Sequence, residues 1–327
     1  MRTLTIPGTR LTASNICLGS ADIGSKIDRD TSFRILDAFV DAGGSFLDTA
    51  SVYADWRPGP RSVSEKTIGE WFTRSGHRDR ITLGTKGAHP QLDSMHVSRL
   101  SREDIVHDVE ASLRNLRTDV IDLYWLHRDD PARPVGEIID VMADLRQAGK
   151  IRRYGCSNWS ASRIAEAQRY AEVKGVPAFC ADQMRWSPAV ITWREVADKT
   201  IVIMDDDLYD HHVQTGMAAV PYSSQAGGLF QKMAAGQTDR MASDQWRVYG
   251  ASENRARYVR MRELAARHNT TITGIVLGYM QSHPFVTVPI VGCQSLQQLE
   301  DCVSACDVQL SRHEVAYLEG RLDTVPQ

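Results

Sequence analysis

Short apolar runs and amphipathic stretches alternate along the chain from about residue 15 onward. The runs Asn15–Leu18, Ser45–Asp48, Ile81–Thr85, Val120–Leu126, Arg153–Cys156, Phe179–Asp182, Ala218–Pro221 and Val286–Ile290 each read as a buried strand. Between them, Thr31–Ala42, Ser62–Thr73, Arg102–Leu116, Val135–Ala148, Ala161–Glu172, Trp193–Lys199 and Asn254–His268 carry apolar residues three and four apart, the helical period. Asp30 or Thr31, and Ser101 with Asp104, supply N-terminal caps, and Gly43, Gly149 and Gly175 stand where helices should stop. Eight strands alternating with seven helical segments predict an α/β fold, an eight-stranded parallel (β/α)8 TIM barrel, with residues 1–327 as one domain. The segment from Leu4 to Leu11 reads as an N-terminal β-hairpin turning at Pro7-Gly8 and capping the barrel's bottom. Two long loops break the rhythm, Gly87–Leu100 after the third strand and Gly227–Glu253 after the seventh; loops of this length tend to be lids or binding loops.

Four polar residues stand at or just beyond the C-terminal ends of these runs. Asp48 closes Gly44-Ser45-Phe46-Leu47, with Tyr53 soon after it; Lys86 follows Ile81 to Thr85, and His127 follows Val120 to Leu126. In a parallel barrel those ends converge on the face that carries chemistry. A carboxylate, a phenol, an ammonium and an imidazole gathered there form a proton-transfer site. Hydride reduction of a carbonyl needs a proton donor beside the oxygen. A free tyrosine, with a pKa near 10, is a weak acid, and an adjacent ammonium eases its ionisation. Lys86 supplies that charge in this reading, Asp48 holds Lys86 charged and oriented, and His127 polarises the carbonyl oxygen.

Composition narrows the field. The net charge is −3 with mixed signs, so basic clusters such as Arg152-Arg153 read as solvated faces, and no nucleic-acid partner is expected. The six cysteines (Cys17, Cys156, Cys180, Cys293, Cys302, Cys306) form no Cys-x-x-Cys pair and read as reduced thiols of a cytoplasmic protein, with Cys156 inside the barrel. No apolar run reaches about 18 residues, so no membrane span is expected. Asp205-Asp206-Asp207 with His211-His212 reads as a solvated turn, so no metal site is expected, and no Gly-x-Gly-x-x-Gly fingerprint supports a Rossmann dehydrogenase.

The segments Phe46-Leu47-Asp48-Thr49-Ala50-Ser51-Val52-Tyr53, Gly84-Thr85-Lys86 and Asp122-Leu123-Tyr124-Trp125-Leu126-His127 resemble the signature segments of the aldo-keto reductase superfamily. The resemblance spans nearly the whole chain. It implies a catalytic tetrad of Asp48, Tyr53, Lys86 and His127, with Tyr53 as general acid, and metal-free, reversible reduction of aldehydes or ketones by NADPH. It further implies that Ser157, Asn158 and Gln183 hold the nicotinamide carboxamide, that Tyr222 stacks on its ring, and that Ser223, Gln225, Gly228 and Lys232 belt the pyrophosphate. Gly292, Cys293, Gln294, Gln298 and Asp301 match the adenosine-phosphate segment. Many relatives carry Arg where Gln294 or Gln298 stands and Asn where Cys302 stands. Glutamine offers no charge for a bidentate grip on a 2′-phosphate, so NADP(H) is the first choice of cofactor and NAD(H) the second.

Substrate choice rests on loops. Trp56, His89, Arg128, Asp129, Trp159 and Trp246 are the candidate pocket residues; flat apolar faces beside Asp129, Asp130 and Arg57 would suit a sugar, polyol or sugar-derived carbonyl. A small aromatic or aliphatic carbonyl is the alternative. A nucleotide-binding regulatory subunit on the same fold is a third reading, disfavoured by the short tail Arg321–Gln327 and the lack of an added interaction segment. Oligomeric state is not legible.

Overall fold

The computed structural model describes residues 1–324, so the expected tail at 321–327 runs past the described residues. Strands β1 (Thr3–Thr5) and β2 (Thr12–Ser14) pair antiparallel as the predicted hairpin. Gly8 takes φ +68° at its turn, a left-handed conformation that suits glycine, and Ile6 N–H donates to Leu11 O at 2.9 Å. Ile6 is fully buried and packs with Phe46, Leu123, Trp125 and Val288, plugging one end of the sheet's enclosed face.

Eight parallel strands follow: β3 (Cys17–Gly19), β4 (Phe46–Asp48), β5 (Thr82–Gly87), β6 (Ile121–Leu126), β7 (Ile151–Ser157), β8 (Ala181–Gln183), β9 (Ala218–Ala219) and β10 (Ile290–Val291). They pair in sequence from β3 to β9, and β10 returns to pair with β3. The last strand begins later than the predicted Val286–Ile290. Pro289 brings no N–H to the ladder, so residues 286–288 instead bridge Ala219, with Ala219 N–H to Val286 O and Val288 N–H to Ala219 O both 2.9 Å. That bridge brings the two edges of the sheet round to each other.

Helices α1 (Arg29–Asp41), α2 (Val63–Ser75), α3 (Arg102–Leu116), α4 (Val135–Gln147) and α5 (Ala161–Lys174) each follow one of the strands β3 to β7. The α3 cap is as expected, Ser101 Oγ accepting from Asp104 N–H at 3.1 Å, whereas α1 is capped by Asp28 rather than Asp30 or Thr31. After β8 the predicted Trp193–Lys199 helix reduces to one turn, and the crossover helix is α6 (Asp206–Thr215). The long segment after β9 holds two short helices, α7 (Leu229–Ala234) and α8 (Ser243–Tyr249), before α9 (Ser252–Arg267) and α10 (Ile272–Gln281); α11 (Leu296–Ala305) and α12 (Arg312–Leu318) complete the chain. No described helix is long and apolar enough to cross a membrane.

Strand alternation sorts the side chains. On β4, β5 and β6, Phe46, Asp48, Lys86, Leu123 and Trp125 turn to the enclosed face, while Leu47, Leu83, Tyr124 and Leu126 pack under the helices. Cys156 pairs in register with Leu126 and joins the helix-side core, so it is not inside the barrel.

Candidate active site

The strand ends gather the four expected residues. Asp48 ends β4, Lys86 is the penultimate residue of β5, and His127 follows β6 directly. The Lys86 ammonium donates to Asp48 Oδ2, to Thr49 O at 2.9 Å and to the Tyr53 hydroxyl at 2.9 Å. Asp48 accepts at its other oxygen from Gln183 Nε2, at 2.8 Å. The Tyr53 ring meets His127 edge-on at 6.1 Å between centroids, and His89 meets His127 at 4.7 Å. Room for the carboxylate comes from Gly84 on β5: a Cβ there would lie 2.9 Å from Trp125 Nε1 and 3.3 Å from Asp48 Oδ1.

Electrostatics follow from burial. Asp48 and Lys86 are both shielded from solvent, which raises Asp48 against the opposing pull of Lys86. Burial works to lower Lys86, but Asp48 and Tyr53 more than offset it and hold the ammonium charged. Burial also raises Tyr53, outweighing the opposing pull of Lys86. The ammonium's role is to limit that rise. Burial, Arg128 and His89 drive His127 well below its ordinary value, and it is neutral, with Nδ1 lacking a partner among the described residues.

The residues expected to hold a nucleotide line the same rim. Ser157 and Gln183 end β7 and β8 and are buried. Asn158 adopts φ +63°, a conformation asparagine tolerates, and bonds Tyr222 OH at 2.7 Å through Oδ1 and His127 O at 3.2 Å through Nδ2. Gln183 Oε1 is a buried acceptor without a partner among the described residues, which fits a carboxamide N–H. Ser223 also has positive φ, and Lys232 Nζ reaches Gly227 O beside Gly228. Gln225 Nε2 donates to Cys302 Sγ at 3.1 Å, and Cys302 Sγ lies 4.0 Å from Cys293 Sγ. In the last loop Gln294 N–H donates to Gln298 Oε1 at 2.8 Å, while Gln294 Nε2 donates to Asp22 Oδ2 at 2.9 Å; Gly292 precedes this turn, and Asp301 accepts from Gln297 at 3.1 Å. Asp22, just past β3, was not among the expected residues but meets this loop.

A sequence profile of the Aldo/keto reductase family matches residues 15–323. The chain belongs to the aldo/keto reductase family. Among curated proteins, this aldo/keto reductase is similar to an aryl-alcohol dehydrogenase [NADP(+)] of Phanerodontia chrysosporium, 31% identical across 98% of this chain and 84% of that protein. It is also similar to norsolorinic acid reductase stcV of Emericella nidulans, 28% identical across 98% of this chain and 80% of that protein, and to an uncharacterized oxidoreductase, YrpG, of Bacillus subtilis, 28% identical across 93% of this chain. It is an oxidoreductase.

The expected substrate residues separate into two groups in this reductase. Trp56 is half exposed, at 50%, and its ring lies 6.0 Å from Tyr53; His89, on the loop after β5, stands against His127. That loop is anchored by Arg99, which grips Asp108 with two 2.8 Å bonds and also reaches His89 O. The other candidates are engaged by neighbouring residues. Trp159 is fully buried against Phe179, because its indole N–H finds Arg128 O at 3.2 Å and its ring completes the helix-side core. Arg128 is engaged by Asp198 and Thr200, and Asp129 by Arg163 at 3.0 Å. Trp246, on α8, is half-buried and packs on the same core. Asp205 to Asp207 are exposed as expected but begin a helix and not a turn: Asp205 caps α6, accepting from Leu208 N–H at 2.9 Å, while His212 is buried with Nδ1 at Met217 O. Among the described residues no group forms a metal-binding cluster.

Burial has a consequence for acid stability. Burial, assisted by Arg128, lowers His89 from 6.5 to about 4, and burial lowers His283 likewise to about 4. Between these values the unfolded chain binds protons that the folded reductase refuses. Stability is therefore expected to be complete above pH 6.5 and to fall as pH drops toward 4, by about 1.4 kcal/mol per pH unit for each group. Urea midpoints across this window test it, and His89→Gln should flatten the fall. An unaltered slope in that variant would mean His89 does not contribute.

Proposed function

We propose that this chain reduces an aldehyde or ketone with a nicotinamide cofactor, reversibly, with Tyr53 as general acid, and that residues 1–327 act as one barrel domain. The observation that carries the reading is the Tyr53 hydroxyl 2.9 Å from Lys86 Nζ, beside a neutral His127 and at the strand-end face. Tyr53 gives its proton to the substrate oxygen; the Lys86 ammonium stabilises the phenolate left behind, and Asp48 keeps that ammonium in place. His127, uncharged, donates an N–H to the same oxygen and orients it. Ser157, Asn158 and Gln183 would hold the carboxamide and Tyr222 the ring; the bound cofactor supplies the hydride. Ser223, Gln225, Gly228 and Lys232 would surround the pyrophosphate, and Gly292, Cys293, Gln294, Gln298 and Asp301 the adenosine end.

NADP(H) is the proposed cofactor, supported by the name of the Phanerodontia chrysosporium relative. Discrimination against NAD(H) should be modest, because Gln294 leans on the Asp22 carboxylate, which opposes a nearby phosphate. Tryptophan fluorescence titration with both cofactors tests this. Saturable quenching by NADPH is expected, and Gln294→Arg should raise the NADPH-over-NADH ratio about tenfold through a charge-assisted phosphate contact. No quenching by either nucleotide from folded protein would end the reductase proposal, and an unaltered ratio would remove the last loop from the cofactor site.

For the substrate, the geometry supports a flat aromatic or apolar carbonyl. Trp56 offers a ring surface beside Tyr53 and His89 one beside His127, whereas Arg128 and Asp129 are committed to Asp198 and Arg163 and are not free for sugar hydroxyls. A sugar-derived carbonyl is the second reading, since the exposed Trp56 face could also pack against a sugar ring. Turnover of benzaldehydes in preference to aldoses is expected.

A further inference from the structure

At the opposite end of the sheet, a groove of about 750 Å³ opens between the hairpin and the starts of β5, β6 and β7. Five arginines line it, Arg10, Arg80, Arg146, Arg152 and Arg153, against two aspartates, Asp79 and Asp122, in a chain whose net charge is −3. Asp122 is already shared, accepting from Arg152 Nε at 2.8 Å and from Arg78 Nη2 at 2.8 Å. The remaining guanidiniums have no anionic partner among the described residues. Arg153 Nη1 donates to Arg152 O, at 3.1 Å, and Arg80 Nη2 to Val40 O, at 3.4 Å. Arg146 stands out further: its Nε–H is buried and has no acceptor among the described residues. A buried, unpaired guanidinium donor is costly unless an anion completes it.

We propose that this groove is a second ligand site, for a small molecule bearing two or more phosphate groups. Guanidinium forks match phosphate oxygens two at a time, and several from different elements can grip one polyphosphate. The volume falls in the range of small-molecule pockets, and Leu11 and Ile151 give it an apolar wall for the ligand's uncharged part. Arg152-Arg153, which reads as solvated charge in the sequence, is thus half of a binding surface. From Asp122 to His127 is roughly 16 Å along β6, so this site and the candidate active site do not overlap.

Calorimetric titration of the full chain with sodium tripolyphosphate, in saturating NADPH, tests the site. One-to-one binding is expected, weakened about tenfold each by Arg146→Gln and Arg153→Gln, and unaltered by Lys232→Gln at the other rim. Arg10→Gln, at the exposed hairpin tip, gives the same test should either buried-side variant misfold. Absence of binding to the wild type overturns the proposal. So does binding that Lys232→Gln abolishes while the arginine variants leave it intact, or binding that a nucleic-acid duplex exceeds by far at equal salt.

Discussion

Tyr53→Phe is expected to cut carbonyl turnover by about 10²–10⁴ while leaving nucleotide binding nearly intact. The substitution removes one hydroxyl. The ring that faces Trp56 and His127 remains, as does the Lys86 ammonium 4.7 Å from the ring centroid. Because burial raises the phenol above its ordinary value, Tyr53 holds its proton at neutral pH and can deliver it only as negative charge develops on the substrate oxygen. Steady-state kinetics beside fluorescence titration separate the two effects. Equal loss of binding and turnover would show that the hydroxyl is structural, and undiminished turnover would assign the proton to another group.

Lys86→Met should cost about 3–5 kcal/mol of stability as well as activity, because it strands the Asp48 carboxylate without its cation in a site closed to solvent. Adding Asp48→Asn to that variant removes the stranded charge. The double variant is expected to recover much of the lost stability and none of the activity. Urea unfolding of wild type, single and double variants measures this directly. Equal instability of the two variants would mean that the loss comes from packing of the lysine stem and not from charge.

The candidate site was legible in the sequence because its chemistry sits at the ends of the best-defined strands. Asp48, Lys86 and His127 each stand at or just past the end of a short run that is buried nearly throughout, and a parallel sheet leaves little freedom in where those ends go. The second half of the fold was harder. Helix α10 was missed since residues from Thr273 to Met280 are all buried, and a helix covered on every side shows no amphipathic period. Helix α6 was hidden by its own start, where Asp206 and Asp207 complement the helix dipole but read as a polar turn. Trp159 and Asp129 were placed in the pocket because sequence adjacency to a strand end says nothing of which way a side chain turns; Phe179 and Arg163 decide that, and both are distant in the chain.

The carboxylate of Asp48 takes the ammonium from β5 with one oxygen and the amide of Gln183 from β8 with the other. It therefore works as a strut across the lumen. The side that handles the proton and the side expected to hold the nicotinamide share a single rigid post, independent of the long loops above. Those loops can be lengthened, shortened or exchanged to fit new carbonyls without retuning the chemistry beneath them.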